Sequence, residues 1–446
     1  LREGDLHPFQ TLRPLMNRGL NPTLFGWLLV FAGSALAAEL PPLPEPLSLE
    51  DALALARTDL PAIEIALAAR EARAAELAEA ESLSGVRLSA IGELRAVRPS
   101  YRSPDRSNND SSFRVALTKR LYDFGYSEAL EQSARLAGDG SEWRHLGARH
   151  KAHLEIMRSF YDVILADLQY TRDNEAMAGA FIDADRARDR HEQKRVSDVD
   201  LLELEAAYRE ALRARTESEA LQRAARSRLA IAMGRPDDLV SALVYPPAPD
   251  TEAPLSEYES LLAEVMQGNP ELKALRAGVE AAEAGVEAAR MGHGPVLSGE
   301  IDASVYNRTT NSTHPLGAGL VLEVPLLTGG AKDAAIAAAR AELRSSRARL
   351  TATEHALRQK VLDLWLGLGT LRRQLEALKV RGDYRELYLD RSRALYELEV
   401  KTDLGDAMTE ISALRLDVAY ADFEWMAAQA ELAARAGRLL PEEQMQ

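Results

Sequence analysis

Val86-Arg87-Leu88-Ser89-Ala90-Ile91-Gly92-Glu93-Leu94-Arg95-Ala96 alternates by kind, with Val86, Leu88, Ala90, Gly92, Leu94 and Ala96 on one parity and Arg87, Ser89, Ile91, Glu93 and Arg95 on the other. Extended backbone sends successive side chains to opposite faces, so this stretch is a strand with an apolar face and a mostly polar one. Three further stretches read the same way. Phe113, Val115 and Leu117 alternate with Arg114, Ala116 and Thr118; Leu297, Gly299, Ile301, Ala303 and Val305 alternate with Ser298, Glu300, Asp302 and Ser304; and Leu316, Ala318, Leu320, Leu322 and Val324 alternate with Gly317, Gly319, Val321 and Glu323. The expected strands are therefore 86–98, 113–121, 296–306 and 316–326. Pro99 to Ser112 and Asn307 to Pro315, dense in Ser, Asn, Thr, Arg and Pro, join them into two pairs as loops.

Alternation by itself also suits a soluble sheet packed on a helix. Here charges recur on the polar parity, at Arg87, Glu93, Arg95, Arg114, Glu300, Asp302 and Glu323, as the lumen of a water-filled barrel requires. Each stretch has about the length that a tilted bilayer-crossing strand needs. Four strands cannot close a membrane barrel, because the smallest have about eight and an open edge in lipid leaves backbone groups unpaired. The barrel is then shared between copies, and the chain is expected to form a cyclic homo-oligomer.

Each strand pair is followed by a long helical pattern. The expected helices are 125–194 and 198–234 after the first pair, and 330–398 and 404–437 after the second, with Gly138-Asp139-Gly140 expected to loosen the first near its start. At ~1.5 Å per residue the longer helices reach about 100 Å, far more than a bilayer. Leu364, Leu368, Leu371, Leu375 and Leu378 keep four-three spacing, as do Ala407, Ile411, Leu414, Val418, Ala421, Trp425, Ala428 and Leu432, and more faintly Met157, Tyr161, Ile164 and Leu168. That spacing is a coiled-coil seam. The whole pattern occurs twice, at 47–235 and 255–440, separated by a Pro-rich linker at 236–254 and followed by a short tail, 441–446. Pro61 answers Pro270, and Leu229-Ala230-Ile231-Ala232-Met233-Gly234-Arg235 answers Leu432-Ala433-Ala434-Arg435-Ala436-Gly437-Arg438. A period of roughly 200 residues is too long for a solenoid and marks a duplicated domain-sized unit.

Residues 1–37 read as a secretory signal peptide, with translation starting at Met16, an apolar run from Leu24 to Leu36 and a small-x-small site at Ala35-Leu36-Ala37. A Pro-rich segment, 38–46, follows, and no cysteine is present to carry an N-terminal lipid. The chain of 446 residues is 46% hydrophobic, 28% charged and only 6% aromatic, the profile of long helices. Its net charge of −15 is spread along the helical segments, which argues against a nucleic-acid partner. No phosphate-binding loop, dinucleotide turn, His-Glu-x-x-His or Gly-x-Ser-x-Gly occurs, so nothing here points to an enzyme, a cofactor or a metal site. His145, His150 and His153 share one helical segment and are expected to be surface residues.

Leader, duplicated helix-strand-strand-helix-helix order, and the junctions Leu121-Tyr122-Asp123-Phe124-Gly125 and Val324-Pro325-Leu326-Leu327-Thr328-Gly329-Gly330 together resemble the TolC family of outer-membrane efflux and secretion channels. The resemblance spans about Leu47 to Leu440, and its junction residues are Leu121, Gly125, Pro325, Gly329 and Gly330. It implies a trimer with a shared twelve-stranded barrel in outer-membrane lipid above a periplasmic helical tunnel. It also implies passive export, with a periplasmic adaptor joining the channel to an inner-membrane transporter. By the same resemblance the helix-to-helix turns form the periplasmic tip, where Asp406 matches a position whose carboxylates ring the aperture and the second such position is Thr409 with Glu410 beside it. Asp200, Tyr396, Lys401, Asp403 and Glu410 are further aperture or gating candidates. A ring of like charges at a constriction favours cations. The lack of an N-terminal cysteine leans toward the unlipidated secretion branch. The competing reading is a periplasmic coiled-coil adaptor or scaffold, which shares the leader and hairpins but not two strand pairs with lumen-like charges. The exported substrate is not legible.

Overall fold

The computed structural model describes residues 41–310, 313–398 and 404–440. Each half of the chain opens with a short helix, α1 (Leu49–Ala54) or α5 (Tyr258–Gly268), and a longer one, α2 (Pro61–Ser82) or α6 (Pro270–Met291). Two strands follow, β1 (Val86–Glu93) and β2 (Ser112–Tyr122), or β3 (Val296–Tyr306) and β4 (Leu316–Glu323). Each half closes with a very long helix, α3 (Tyr126–Glu192) or α7 (Ala331–Glu397), and a helix about half as long, α4 (Asp198–Ala232) or α8 (Leu404–Arg435). Both long helices have 67 residues, about 100 Å at ~1.5 Å per residue. Pro61 and Pro270 sit in the first turn of α2 and α6, where a missing N–H costs no helical hydrogen bond. Ser48 caps α1 and Asn269 caps α6 by accepting backbone N–H bonds from Asp51 and Leu272.

The repeated Gly-Arg pairs end the half-length helices in the same way. Gly234 and Gly437 adopt φ of 73° and 77°, and the N–H groups of Arg235 and Arg438 reach back to the carbonyls of Ala230 and Ala433 at 2.7 and 2.9 Å. This is the left-handed helix terminus that glycine accommodates without strain. A Cβ on Gly234 would lie 2.9 Å from Leu60 Cδ2, and one on Gly437 would lie 2.6 Å from the Gly268 carbonyl oxygen. Thus α4 abuts the start of α2 and α8 abuts the start of α6, so two shorter helices together flank each long one. The packing order is α2 and α4, then α3, then α6 and α8, then α7. Both repeats lie in one compact unit that begins at Leu43.

The core runs as separate clusters along these seams. Phe160, Leu229, Met233, Leu47 and Phe423 form one, with the Tyr161 and Phe423 rings stacked at 4.6 Å. Trp425, Val361, Leu368 and Leu272 form a second, and Leu378, Ala407, Ile411 and Leu414 a third nearer the tip. Gly138 and Gly140 do not loosen α3, which is continuous from Tyr126 to Glu192. Gly140 is buried because α6 crosses there: a Cβ would stand 3.1 Å from the Ala274 carbonyl oxygen and 3.5 Å from Ala277 Cβ. The glycine admits a close helix approach instead of breaking the helix.

The four strands form one antiparallel sheet in the order β1-β2-β3-β4, leaving β1 and β4 as its edges. Two strands are shorter than expected. β1 stops at Glu93 instead of continuing to residue 98, because Ser111 Oγ accepts the Arg95 N–H and the chain then pairs irregularly with the loop, Val97 N–H to Asn108 carbonyl at 2.8 Å. β4 stops at Glu323, short of residue 326, since Pro325 has no N–H to continue a ladder.

Candidate functional site

The register settles which side chains share a face. Val86, Lys119, Gly299 and Leu320 stand in one row across the sheet; Leu88, Leu117, Ile301 and Ala318 in the next; and Ala90, Val115, Ala303 and Leu316 in a third. The intervening rows hold Arg87, Thr118, Glu300 and Gly319, then Ser89, Ala116, Asp302 and Gly317. Arg114 pairs with Ile91 and Ser304, Glu93 with Ser112, and Glu323 with Val296. Arg87, Glu93, Arg114, Glu300, Asp302 and Glu323 therefore share one face, together with Ile91, Ala116, Val296 and Val321, while the other face is apolar except for Lys119. Gly317 makes room on the charged face, since a Cβ there would fall 2.5 Å from Asp302 Oδ1. Arg95 lies beyond the end of β1, 3.9 Å from both Glu93 and Asp110.

Beyond the strands the two loops are sewn together by contacts that the sequence pattern does not announce. Arg308 donates to the Asp105 carbonyl oxygen at 3.2 Å and to Ser103 Oγ at 2.5 Å, while Asp105 Oδ2 accepts the Thr309 N–H at 3.1 Å. Backbone N–H bonds from Ser107 and Thr309 hold the Asp105 carboxyl below its ordinary pKa. The only sequence signal was an arginine in a loop otherwise rich in small polar residues.

At the opposite end, both strand-to-helix junctions take one backbone path. Phe124 and Gly125 have φ of 58° and 93°, and Gly329 and Gly330 have 58° and 85°. Asp123 adds a cap in the first junction: its carboxylate accepts the Ser127 N–H at 3.0 Å and pairs with Arg120 at 3.1 Å. Leu121 is half-exposed beside the bulge at Arg120 and Tyr122, and Pro325 separates β4 from the exposed Leu326 and Leu327.

At the helical tip, Lys194 follows α3 with φ of 59°, the left-handed conformation that usually belongs to glycine, and Arg195 N–H bonds the Arg190 carbonyl at 2.8 Å. Asp200 lies in the first turn of α4, where Ser197 Oγ accepts its N–H at 3.2 Å and donates to its carboxylate at 2.8 Å. Glu410 pairs with Arg385 at 2.7 Å across α7 and α8. Tyr396 is exposed in the last turn of α7, and Asp406 is exposed in the first turn of α8. Lys401 and Asp403 lie outside the described residues. Among the described residues the gating candidates are thus not gathered into one cluster within the chain. Asp200 and Glu410 are each engaged inside their own helical hairpin. A contact between hairpins comes from residues that the sequence did not single out, Ser412 Oγ donating to the Glu175 carboxylate.

Midway along the helices the expectation of surface histidines fails, for His145 and His153 are half-buried and His150 fully so. His150 is buried, with 3% of its surface exposed, and its Nδ1 faces the Ala434 carbonyl oxygen at 3.2 Å because α8 ends against α3 at this level. Burial, the dominant cause, and the nearby Arg149 charge lower its pKa despite the Ala434 bond. Beside it, buried Glu431 joins three helices, meeting Arg158 of α3 at 2.7 Å, Arg435 of α8 at 2.8 Å and Lys360 of α7 at 3.5 Å. Burial raises the Glu431 carboxyl, but the Arg435 hydrogen bond and the three cations outweigh it, and the net shift is downward. Among the described residues no helix is long and apolar enough to cross a membrane, and no group of three or more His, Cys, Asp or Glu is arranged to hold a metal ion.

Residues 261–438 match the model of the outer membrane efflux protein family. The match covers about two fifths of the chain. Protein CyaE of Bordetella pertussis is 28% identical over 371 residues, covering 78% of this chain and 76% of the relative. The fold is similar to the CmeC outer membrane channel of Campylobacter jejuni, at a TM-score of 0.73 and 13% identity over 88% of this chain and 86% of that one. It is also similar to the outer membrane protein VceC of Vibrio cholerae, at 0.67 and 17% identity over 88% and 97%. The matched family and the structural neighbours are outer-membrane channels with large periplasmic helical parts, and the fold is that of passive channels. The reading of an export channel holds, and the comparisons do not support the adaptor alternative. Trimeric assembly and coupling to pump or secretion partners are general to the family.

Proposed function

We propose that three copies of this chain close a twelve-stranded barrel in the outer membrane and that the tunnel below it is the passive exit duct of a tripartite efflux pump or type I secretion system, joined by a periplasmic adaptor to an inner-membrane transporter. The observation that carries this reading is the sheet register, which gathers every strand charge but Lys119 on one face and leaves the other face otherwise apolar. A lumen and a lipid surface need that division. The free edges support closure between copies: β1 and β4 run antiparallel in the sheet, so β4 of one copy meets β1 of the next antiparallel as well. The helices support it too. α3, flanked on both sides, has fifteen buried residues, whereas α7, of equal length and flanked on one side, has six. The bare flank of α7, with Leu366, Val380 and Leu387 exposed, is where a neighbour's α2 and α4 belong.

In this assembly Arg87, Glu93, Arg95, Arg114, Glu300, Asp302 and Glu323 line the barrel or its mouth. Asp406 contributes a ring of carboxylates at the periplasmic aperture, with Asp200, Tyr396, Lys401, Asp403 and Glu410 around it. Residues 1–37 serve as the leader. Single-channel conductance in planar bilayers, with oligomer mass measured in the same detergent, tests the reading. Steady cation-selective current from a trimer is expected; a water-soluble protein that passes no current refutes it.

A further inference from the structure

On the apolar face of the sheet one charged residue interrupts four strands of Val, Leu, Ile, Phe, Ala and Gly: Lys119. Its side chain is exposed, and its ammonium pairs with no carboxylate among the described residues. An unpaired cation on a lipid-facing strand is costly near mid-bilayer and nearly free at the interface, so its depth decides what it does. Lys119 lies three residues before Tyr122, where β2 ends and the chain turns into the periplasmic helix α3. At ~3.4 Å per residue and a tilt near 45°, that is about 7 Å of height from the end of the strand. A lysine stem spans the remaining depth to the headgroups.

The surroundings fit an interfacial ligand. Across the ladder from Lys119 stands Gly299, and a Cβ there would meet Leu121 Cδ1 at 3.4 Å and Leu320 Cδ2 at 3.9 Å. The glycine thus leaves a methyl-sized apolar gap beside the lysine, walled by two leucines. Toward the helices follow the Tyr122 and Phe124 rings, 4.7 Å apart edge to face and about half exposed, as aromatic side chains at a membrane–water boundary are. After β4, Leu326 and Leu327 are 91% and 93% exposed. Two adjacent leucines bared to that extent belong in acyl chains and not in water.

We propose that Lys119 binds the phosphate of a glycerophospholipid in the periplasmic leaflet, with Tyr122 and Phe124 at headgroup level and the Gly299 gap and Leu326-Leu327 against the acyl chains. The leaflet follows from chain direction, since the helix end of β2 faces the periplasm, and the site rests on the outer-membrane reading of the sheet. Among the described strand residues the outward face carries no cation at the loop end.

Native mass spectrometry of the assembled protein in maltoside micelles, titrated with dioleoylphosphatidylglycerol, tests the site. Lys119→Leu is expected to lower lipid retention about fivefold, as for one basic residue at a membrane surface. Lys119→Arg is expected to keep retention, and dioleoylglycerol, which lacks the phosphate, is expected not to be retained. Equal retention by Lys119→Leu, or a preference for lipid A over the phospholipid, overturns the site. Conductance recorded on the same samples separates the two levels of inference: a wild-type channel that carries current but holds no phospholipid overturns the lipid site alone, whereas a protein that stays in water and passes no current overturns both.

Discussion

Leu88→Arg distinguishes a membrane face from an ordinary exposed sheet. Leu88 is 72% exposed in the single chain, and it stands in the row of Leu117, Ile301 and Ala318, between the row of Lys119 and that of Ala90. If this face met water, a change at so exposed a position would alter stability by no more than ~0.5 kcal/mol. If it meets lipid, the row lies near the middle of the apolar band and an arginine there costs ~2–4 kcal/mol per copy, roughly a 30- to 900-fold shift in the folding equilibrium. Closure by several copies multiplies the penalty, because every copy carries the substitution. Arg87→Leu is the internal control: Arg87 is the adjacent residue but points to the charged face, and its loss from a water-filled lumen is expected to change assembly by less than ~1 kcal/mol. The assay is refolding into phospholipid vesicles across a urea series, scored by the heat-resistant oligomer on gels. Assembly of Leu88→Arg at the wild-type urea midpoint would refute the lipid assignment of the whole face, since the register ties all four strands to it.

Other outcomes follow from the junctions, the buried histidine and the tip. Gly125→Ala and Gly330→Ala both force a side chain into positive φ, costing about 1 kcal/mol or more. A Cβ at Gly125 also meets Met291 Sδ at 3.2 Å while one at Gly330 meets nothing within 4 Å, so denaturant titration is expected to show the larger loss at Gly125. The lowered pKa of His150, caused first by burial, means that the folded protein binds its proton less readily than the unfolded chain. Its stabilising effect is complete above the ordinary histidine value of 6.5 and declines as pH falls below it toward the folded value, so thermal melting is expected to drop over that window, and His150→Gln is expected to flatten the drop. Asp406→Asn is expected to weaken block by divalent cations in planar bilayers; unchanged block removes Asp406 from the aperture.

Much of the strand architecture is carried by local rules. A period of two in four stretches suffices to assign faces, and the two junctions are legible because Gly125 and the Gly329-Gly330 pair mark positive φ in a sequence otherwise suited to helix and strand. Phe124 and Lys194 show the limit of that signal. Both take left-handed backbone without being glycine, because capping bonds around Asp123 and the reach of Arg195 N–H to the Arg190 carbonyl hold them there. Gly138 and Gly140 mislead in the other direction, since a glycine that breaks a helix and one that admits a neighbour look alike until the neighbour, α6, is in place.

The candidate site divides along the same line. The sequence by itself determined the duplicated order of elements, the amphipathic strands and the seams, because each depends on spacing along the chain. Only the tertiary structure decided the row-by-row register that isolates Lys119 on the apolar face, the burial of His150 beneath the end of α8, the meeting of Arg158, Lys360 and Arg435 at Glu431, and the loop contacts of Arg308. These depend on which residues from distant parts of the chain become neighbours, and periodicity says which face a side chain occupies but not what stands opposite it.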